Sequence, residues 1–133
     1  MEYHYPTILR RYLSTFIDGV FVLAVFILTS YIFQHEGEMV TKVRIIIILF
    51  MFFVYEPFCT SMFCTLGQKV TGIRVRKIGS YERISILSAY LRITIKLFLG
   101  IISFFTIPFS KDRRAIHDFA VGSVVIHEKP FLE

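Results

Sequence analysis

Two stretches of this 133-residue chain are almost without charge. Across residues 13–33 the one charged side chain is Asp18, and across 45–63 it is Glu56. A soluble core would interleave its apolar residues with polar ones. Uninterrupted runs of 21 and 19 residues instead match the roughly 20 apolar residues that cross a hydrocarbon layer of about 30 Å.

Other things are missing as well. There are two cysteines, Cys59 and Cys64, and a spacing of five keeps them off a common helix face. They read as free thiols, with no metal or redox role. The Arg10-Arg11 pair ahead of an apolar run suggests an export signal, but Ser30-Tyr31-Ile32-Phe33-Gln34 offers no small-x-small cleavage site, so the segment reads as a retained helix. Gly67 and Gly72 have the spacing of a phosphate loop, yet Ile73-Arg74 stand where lysine and a hydroxyl residue are required. His117-Asp118 has no second His/Asp cluster to complete a metal site, so His117 reads as a polar residue at the interface of a final helix. No nucleophile–base arrangement, internal repeat or low-complexity tract is evident. An enzyme is not expected, and neither is a cofactor or metal.

What is present is positive charge, unevenly placed. The net charge is +5. Segment 64–96 carries Lys69, Arg74, Arg76, Lys77, Arg83, Arg92 and Lys96 against Glu82 alone, whereas the link at 34–44 balances Glu36 and Glu38 against Lys42 and Arg44. Lys/Arg excess in short loops marks the side that stays in the cytoplasm. With Arg10 and Arg11 at the other end, this predicts a multi-pass protein of the plasma (inner) membrane with both termini cytoplasmic and 34–44 outside. The basic charge then faces anionic lipid headgroups rather than nucleic acid.

The pattern predicts one domain, 1–133, of all-α membrane class. Helix 1 spans about 10–33 and helix 2 about 40–62, with Gly37 breaking the link and 65–69 as a turn. Residues 72–78 alternate apolar and basic, the period of a strand, and Gly79-Ser80 closes it. Over 84–109, Ser85, Ser88, Arg92 and Lys96 form a polar stripe on an otherwise apolar helix. The uncharged part, 97–109, spans about 20 Å as a helix, which favours a re-entrant or interfacial dip; a third crossing would export Lys111, Arg113 and Arg114. A closing helix and strand occupy 113–127, with 122–127 a natural partner for 72–78. The expected fold is therefore two transmembrane helices plus a re-entrant or third membrane helix, with a small cytoplasmic two-stranded β element.

Ionisable groups at membrane depth face a partner or a wet cavity. Arg11 and Asp18 lie two turns apart, about 10 Å, too far for a direct pair. Arg11 can snorkel to the headgroups; Asp18 must be neutral or paired. The predicted arrangement is one polar cluster of Arg11, Asp18, Glu56, Arg92, Lys96 and Asp118 in the cytoplasmic half of the membrane.

Three segments carry a resemblance. Residues 11–19, Arg-Tyr-Leu-Ser-Thr-Phe-Ile-Asp-Gly, look like the opening motif of the RDD membrane proteins, named for one arginine and two aspartates. Thr65-Leu66-Gly67-Gln68-Lys69-Val70-Thr71-Gly72-Ile73-Arg74-Val75 is similar to that family's loop after its second helix, and Arg113-Arg114-Ala115-Ile116-His117-Asp118-Phe119-Ala120-Val121-Gly122-Ser123-Val124-Val125 resembles its closing motif. Glu56 occupies a position often acidic in the family. Gln68 and Ser123 depart mildly from the pattern. The resemblance implies that Arg11, Asp18 and Asp118 are the naming residues. It implies no settled activity, since proposals for the family centre on transport, including cation/proton antiport. Three roles follow: a structural, helix-assembly role for the charges; a transporter component acting as a homo-oligomer or in a larger membrane complex; or a membrane-anchored accessory protein.

Overall fold

The computed structural model describes residues 4–34 and 37–128. Glu36, part of the balanced link, and the carboxyl-terminal residues 129–133 lie outside the described residues. The fold is mainly helical, with one two-stranded antiparallel sheet. Three helical stretches are long and apolar enough to cross a membrane: Ile8–Ile32, one within Glu38–Thr71, and Ile86–Phe104.

Helix α1 (Ile8–Ile32) starts at Thr7, whose hydroxyl accepts the Arg10 amide. Its apolar side chains Leu9, Phe16, Leu23 and Ile27 are exposed, as lipid-facing residues would be. Helix α2 (Glu38–Phe50) returns alongside it, through a π-helical turn at Met51–Tyr55, into α3 (Glu56–Met62). The wide turn has a local cause. Pro57, the second residue beyond it, has no amide hydrogen to give the carbonyl four residues back, and the Glu56 amide reaches the Met51 carbonyl. The antiparallel hairpin is marked by Arg44 donating to the Phe33 carbonyl and by the rings of Phe21 and Tyr55, 5.5 Å apart.

Residues 65–69, expected as a turn, instead open a short helix, α4 (Leu66–Thr71). All four leading amides of this helix have acceptors: Leu66 donates to the Tyr55 hydroxyl, Gly67 to Asp18, Gln68 to the Thr65 hydroxyl, and Lys69 to the Thr65 carbonyl. Thr65 and Gln68 make a reciprocal capping box. That supply of acceptors lets six residues hold a helix where a turn was expected.

Strand β1 (Ile73–Lys77) follows at Gly72, whose φ of 66° ends α4 in the left-handed region. The expected alternation is present: Ile73 and Val75 are buried, and Arg74 and Arg76 less so. The β2 strand (Ser123–His127) pairs with it antiparallel, Ile73 opposite His127 and Val75 opposite Val125. The predicted pairing of 72–78 with 122–127 is therefore observed.

The two strands belong to equivalent units. Helix α6 (Ile116–Val121) ends at Gly122, φ 64°, and leads into β2 just as α4 leads through Gly72 into β1. Because Val75 stands opposite Val125, a local two-fold passes between them and relates Thr65, Gln68 and Gly72 to Ala115, Asp118 and Gly122. The capping contact is repeated too. The Gln68 side chain accepts the Thr65 amide, and the Asp118 side chain accepts the Ala115 amide. This internal repeat was not evident in the sequence, because equivalent positions hold different residues.

Segment 84–109 also differs from expectation. It forms α5 (Ile86–Leu99), a 3-10 turn at Gly100–Phe104 and another at Ile107–Phe109. The apolar helical stretch is 19 residues, Ile86–Phe104, and it includes Arg92 and Lys96 as well as part of the uncharged run 97–109. Arg92 and Lys96 do not end it because both are neutralised within the protein, as described below. Small cores hold the sheet to these elements: Ile73, Val75, Ile84, Ala89 and Val125 in one, and Phe104, Ile107 and Ala115 in the other, the latter packed by Ile8 and Tyr12.

Candidate functional site

Three polar assemblies converge where the first turns of α1 meet the sheet. The innermost is built on Asp118, which has no exposed surface. Its Oδ2 accepts from the Arg11 guanidinium and from the Ala115 amide at 3.0 Å; its Oδ1 accepts from Arg92 Nε at 2.9 Å and from the Ser123 hydroxyl at 3.3 Å. These donors come from α1, the start of α6, α5 and β2. Burial alone would raise the pKa of this carboxyl, but Arg11 and then Arg92 outweigh it and hold it well below the usual carboxylate range. Asp118 is a permanent anion with every lone-pair direction occupied. Arg11 uses a further N–H on the Arg113 carbonyl, at 2.7 Å.

Arg114 locks the same turn from behind. It donates to the carbonyls of Ser123 (2.9 Å) and Asp118 (3.2 Å) and lies 4.2 Å over the Phe119 ring. Arg114 belongs to the closing motif, but its role becomes legible only once its partners are placed.

The second assembly is Lys96 and Glu56, joined at 2.8 Å between α5 and α3 and each partly exposed. The third is Asp18. Each of its oxygens accepts one hydrogen bond, from the Thr65 hydroxyl at 2.7 Å and from the Gly67 amide at 2.8 Å. Asp18 therefore caps the N-terminus of α4, where a negative charge is favoured by the helix dipole. The expected pairing of Asp18 with the basic stripe is replaced by hydroxyl and amide donors. Ser85 and Ser88, at the other end of the stripe, bond each other and cap α5. Arg11, Asp18, Glu56, Arg92 and Lys96 all line one small cavity of about 20 Å³. With Asp118 bound to two of them, the six predicted residues lie in one region as three separate groups, three cations beside three acids.

A second cavity, a groove of about 440 Å³, lies between α1, the π-helical turn and α5. Its walls are apolar and aromatic, including Phe16, Phe52 and Phe104, and it reaches Asp18, Glu56 and Lys96. Those three side chains thus border both cavities.

His117 is fully buried, deeper than an interface position. Its Nδ1 lies 2.9 Å from the Ser103 hydroxyl and its ring packs edge-on to Phe104 at 5.6 Å. Burial, then the nearby Arg92, pushes its pKa down to about 2, so the ring is neutral and its 3.6 Å approach to Asp118 is not an ion pair.

These residues fall within one family pattern. The RDD family model matches residues 5–122. The chain belongs to the RDD family. The match takes in the opening and loop motifs and the closing motif as far as Gly122, and in this RDD protein Arg11 and Asp118 are bonded directly to each other. Asp18 holds the loop segment through Thr65 and Gly67. No curated protein and no solved structure matches the chain.

Proposed function

We propose that the RDD charges of this membrane protein are an assembly device, fastening the extramembrane helix–strand units to the ends of the membrane helices. Asp118 carries this reading: one fully buried carboxylate takes hydrogen bonds from four separate parts of the chain. Asp18 does the same for α4. A carboxylate as saturated as Asp118 is poorly suited to exchange an ion or proton, and well suited to fix register. No catalytic role is assigned to it.

In the proposed topology, α1 and the α2–α3 helix cross the membrane and the sheet, the termini and the basic segment lie on the cytoplasmic face of a plasma (inner) membrane. Segment 86–109 lies along that face or dips into it. Tyr12, in the second turn of α1, stacks on Phe104 at 4.7 Å, and Ser103 and Arg92 meet neighbouring residues of α6. Both parts of the segment therefore stay at the level of the start of α1. Arg76 and Arg83 then face anionic headgroups, at about 1 kcal/mol each, while Arg74 is paired with Glu128.

A second reading has one observation in its favour: the groove leads to Asp18, Glu56 and Lys96, which are less enclosed than Asp118. A cation- or proton-linked role would centre there, in a homo-oligomer or larger complex, since two crossings and a dip enclose no path. Proteoliposomes separate the readings. Under the assembly reading, Asp118→Asn lowers the yield of folded protein, and any cation-driven proton flux falls only in proportion. A folded Asp18→Asn protein that has lost flux would favour the second reading.

A further inference from the structure

We infer that the small cavity between the charge groups is a binding site for one internal water, which donates a hydrogen bond to Nε2 of His117 and joins the Arg11–Asp118–Arg92 group to the Glu56–Lys96 pair. This inference holds under either reading of the charges.

The tautomer of His117 follows from its neighbours. Ser103 has one hydroxyl hydrogen, and it is directed to the Gly100 carbonyl at 3.0 Å. The Ser103 oxygen must then accept from His117, so Nδ1 carries the ring proton. Nε2 is left as a bare acceptor. It is buried and has no hydrogen-bond partner among the described residues. Asp118 Oδ1, 3.6 Å away, is another acceptor and cannot serve it. Protonating Nε2 would give it a donor for Asp118, but burial and the guanidinium of Arg92 oppose that.

The cavity supplies what the ring lacks. His117 lines it together with Ser14, Glu56, Gln68, Arg92 and Lys96. About 10–15 Å³ is enough for a water, and a water needs two to four polar partners; this cavity is about 20 Å³. Lys96 has N–H groups beyond the one given to Glu56, so donors and acceptors both face the space. A metal ion would meet three cations, Arg11, Arg92 and Lys96, in the walls, and an anion would meet Asp18 and Glu56. A neutral molecule that both donates and accepts meets neither objection.

Solid-state NMR of the full chain in liposomes, with ¹⁵N-labelled histidine, tests this. The His117 signals are identified by their loss in His117→Gln. The expected spectrum has a protonated Nδ1, and an unprotonated Nε2 shifted as a hydrogen-bonded acceptor that receives magnetisation from water. Ser14→Val, which fills the cavity, should abolish the water transfer and move Nε2 to its unbonded shift. A protonated Nε2, an unbonded Nε2 in the wild type, or water transfer that persists in folded Ser14→Val would each overturn the inference. The wild-type spectrum decides alone if Ser14→Val does not fold.

Discussion

A β-carbon on Gly67 would stand 2.0 Å from the carbonyl oxygen of Ser14. The obstruction is backbone, inside a membrane helix, so it cannot swing away as a side chain would. This close approach lets the Gly67 amide reach Asp18 and sets α4 against α1. Gly67→Ala is expected to destabilise the protein at or beyond the upper end of the usual overpacking range of about 1–3 kcal/mol. Thermal unfolding in detergent checks this, with Gly19→Ala as the control, since a β-carbon there meets nothing within 4 Å. Equal melting temperatures for the two variants would count against the packing described.

Stability should depend on pH in the acid range. His117 has a folded pKa near 2 against 6.5 unfolded. Between these values the unfolded chain binds the extra proton, so stability falls as pH drops below about 6.5, by about 2 kcal/mol at pH 5. Asp118, held below its ordinary 3.8, adds a second loss below about pH 4. Above pH 7 neither group contributes a slope. His117→Gln should flatten the dependence between pH 5 and 6.5 and leave the steeper fall below 4.

The proposed topology predicts which positions share a face of the membrane. In a Cys59→Ser/Cys64→Ser background, single cysteines at Ser80 and Ser110 should react with an impermeant thiol reagent from the same side, and one at Gly37 from the opposite side. Labelling of position 110 from the Gly37 side would mean that Ile86–Phe104 crosses.

Asp18 accepts from Thr65 and Gly67, and an asparagine can keep both contacts. Its carbonyl accepts the Gly67 amide, and its amide nitrogen can donate to the Thr65 hydroxyl. Asp18→Asn should therefore fold nearly normally, while Asp18→Ala loses about 1–3 kcal/mol through unmet polar groups. Comparing the folded fractions of the two variants by size-exclusion chromatography checks this, and equal losses would show that the carboxylate charge, rather than its hydrogen bonds, holds α4.

Much of this was legible in the sequence, for physical reasons. Two runs with one acid each had to become membrane helices, and the alternation at 72–78 and the β-branched run at 122–127 had few partners but each other. Ionisable residues on apolar helices need partners, and the structure brings Arg11 and Arg92 to Asp118 and Lys96 to Glu56. Other features were hidden. The Thr65-x-x-Gln68 capping signature was present, but read as a turn, because its remaining acceptors, Asp18 and Tyr55, come from distant positions. The repeat relating 65–77 to 115–127 lies in backbone geometry, with Gly72 and Gly122 as its chief shared residues. Arg92 and Lys96 were legible as a polar stripe on the third helix, but the partners that neutralise them there, Asp118 and Glu56, come from distant positions.

The central claim is that the charges hold the segments together, and a double-mutant cycle between Arg92 and Asp118 tests it most directly. The two are joined at 2.9 Å and buried. Unfolding free energies of wild type, Arg92→Met, Asp118→Asn and the double variant give their coupling. The account predicts a favourable coupling of about 1–3 kcal/mol, with the double variant less damaged than the sum of the single ones. Additive effects within about 0.5 kcal/mol would contradict it, because the contact would then contribute nothing to assembly.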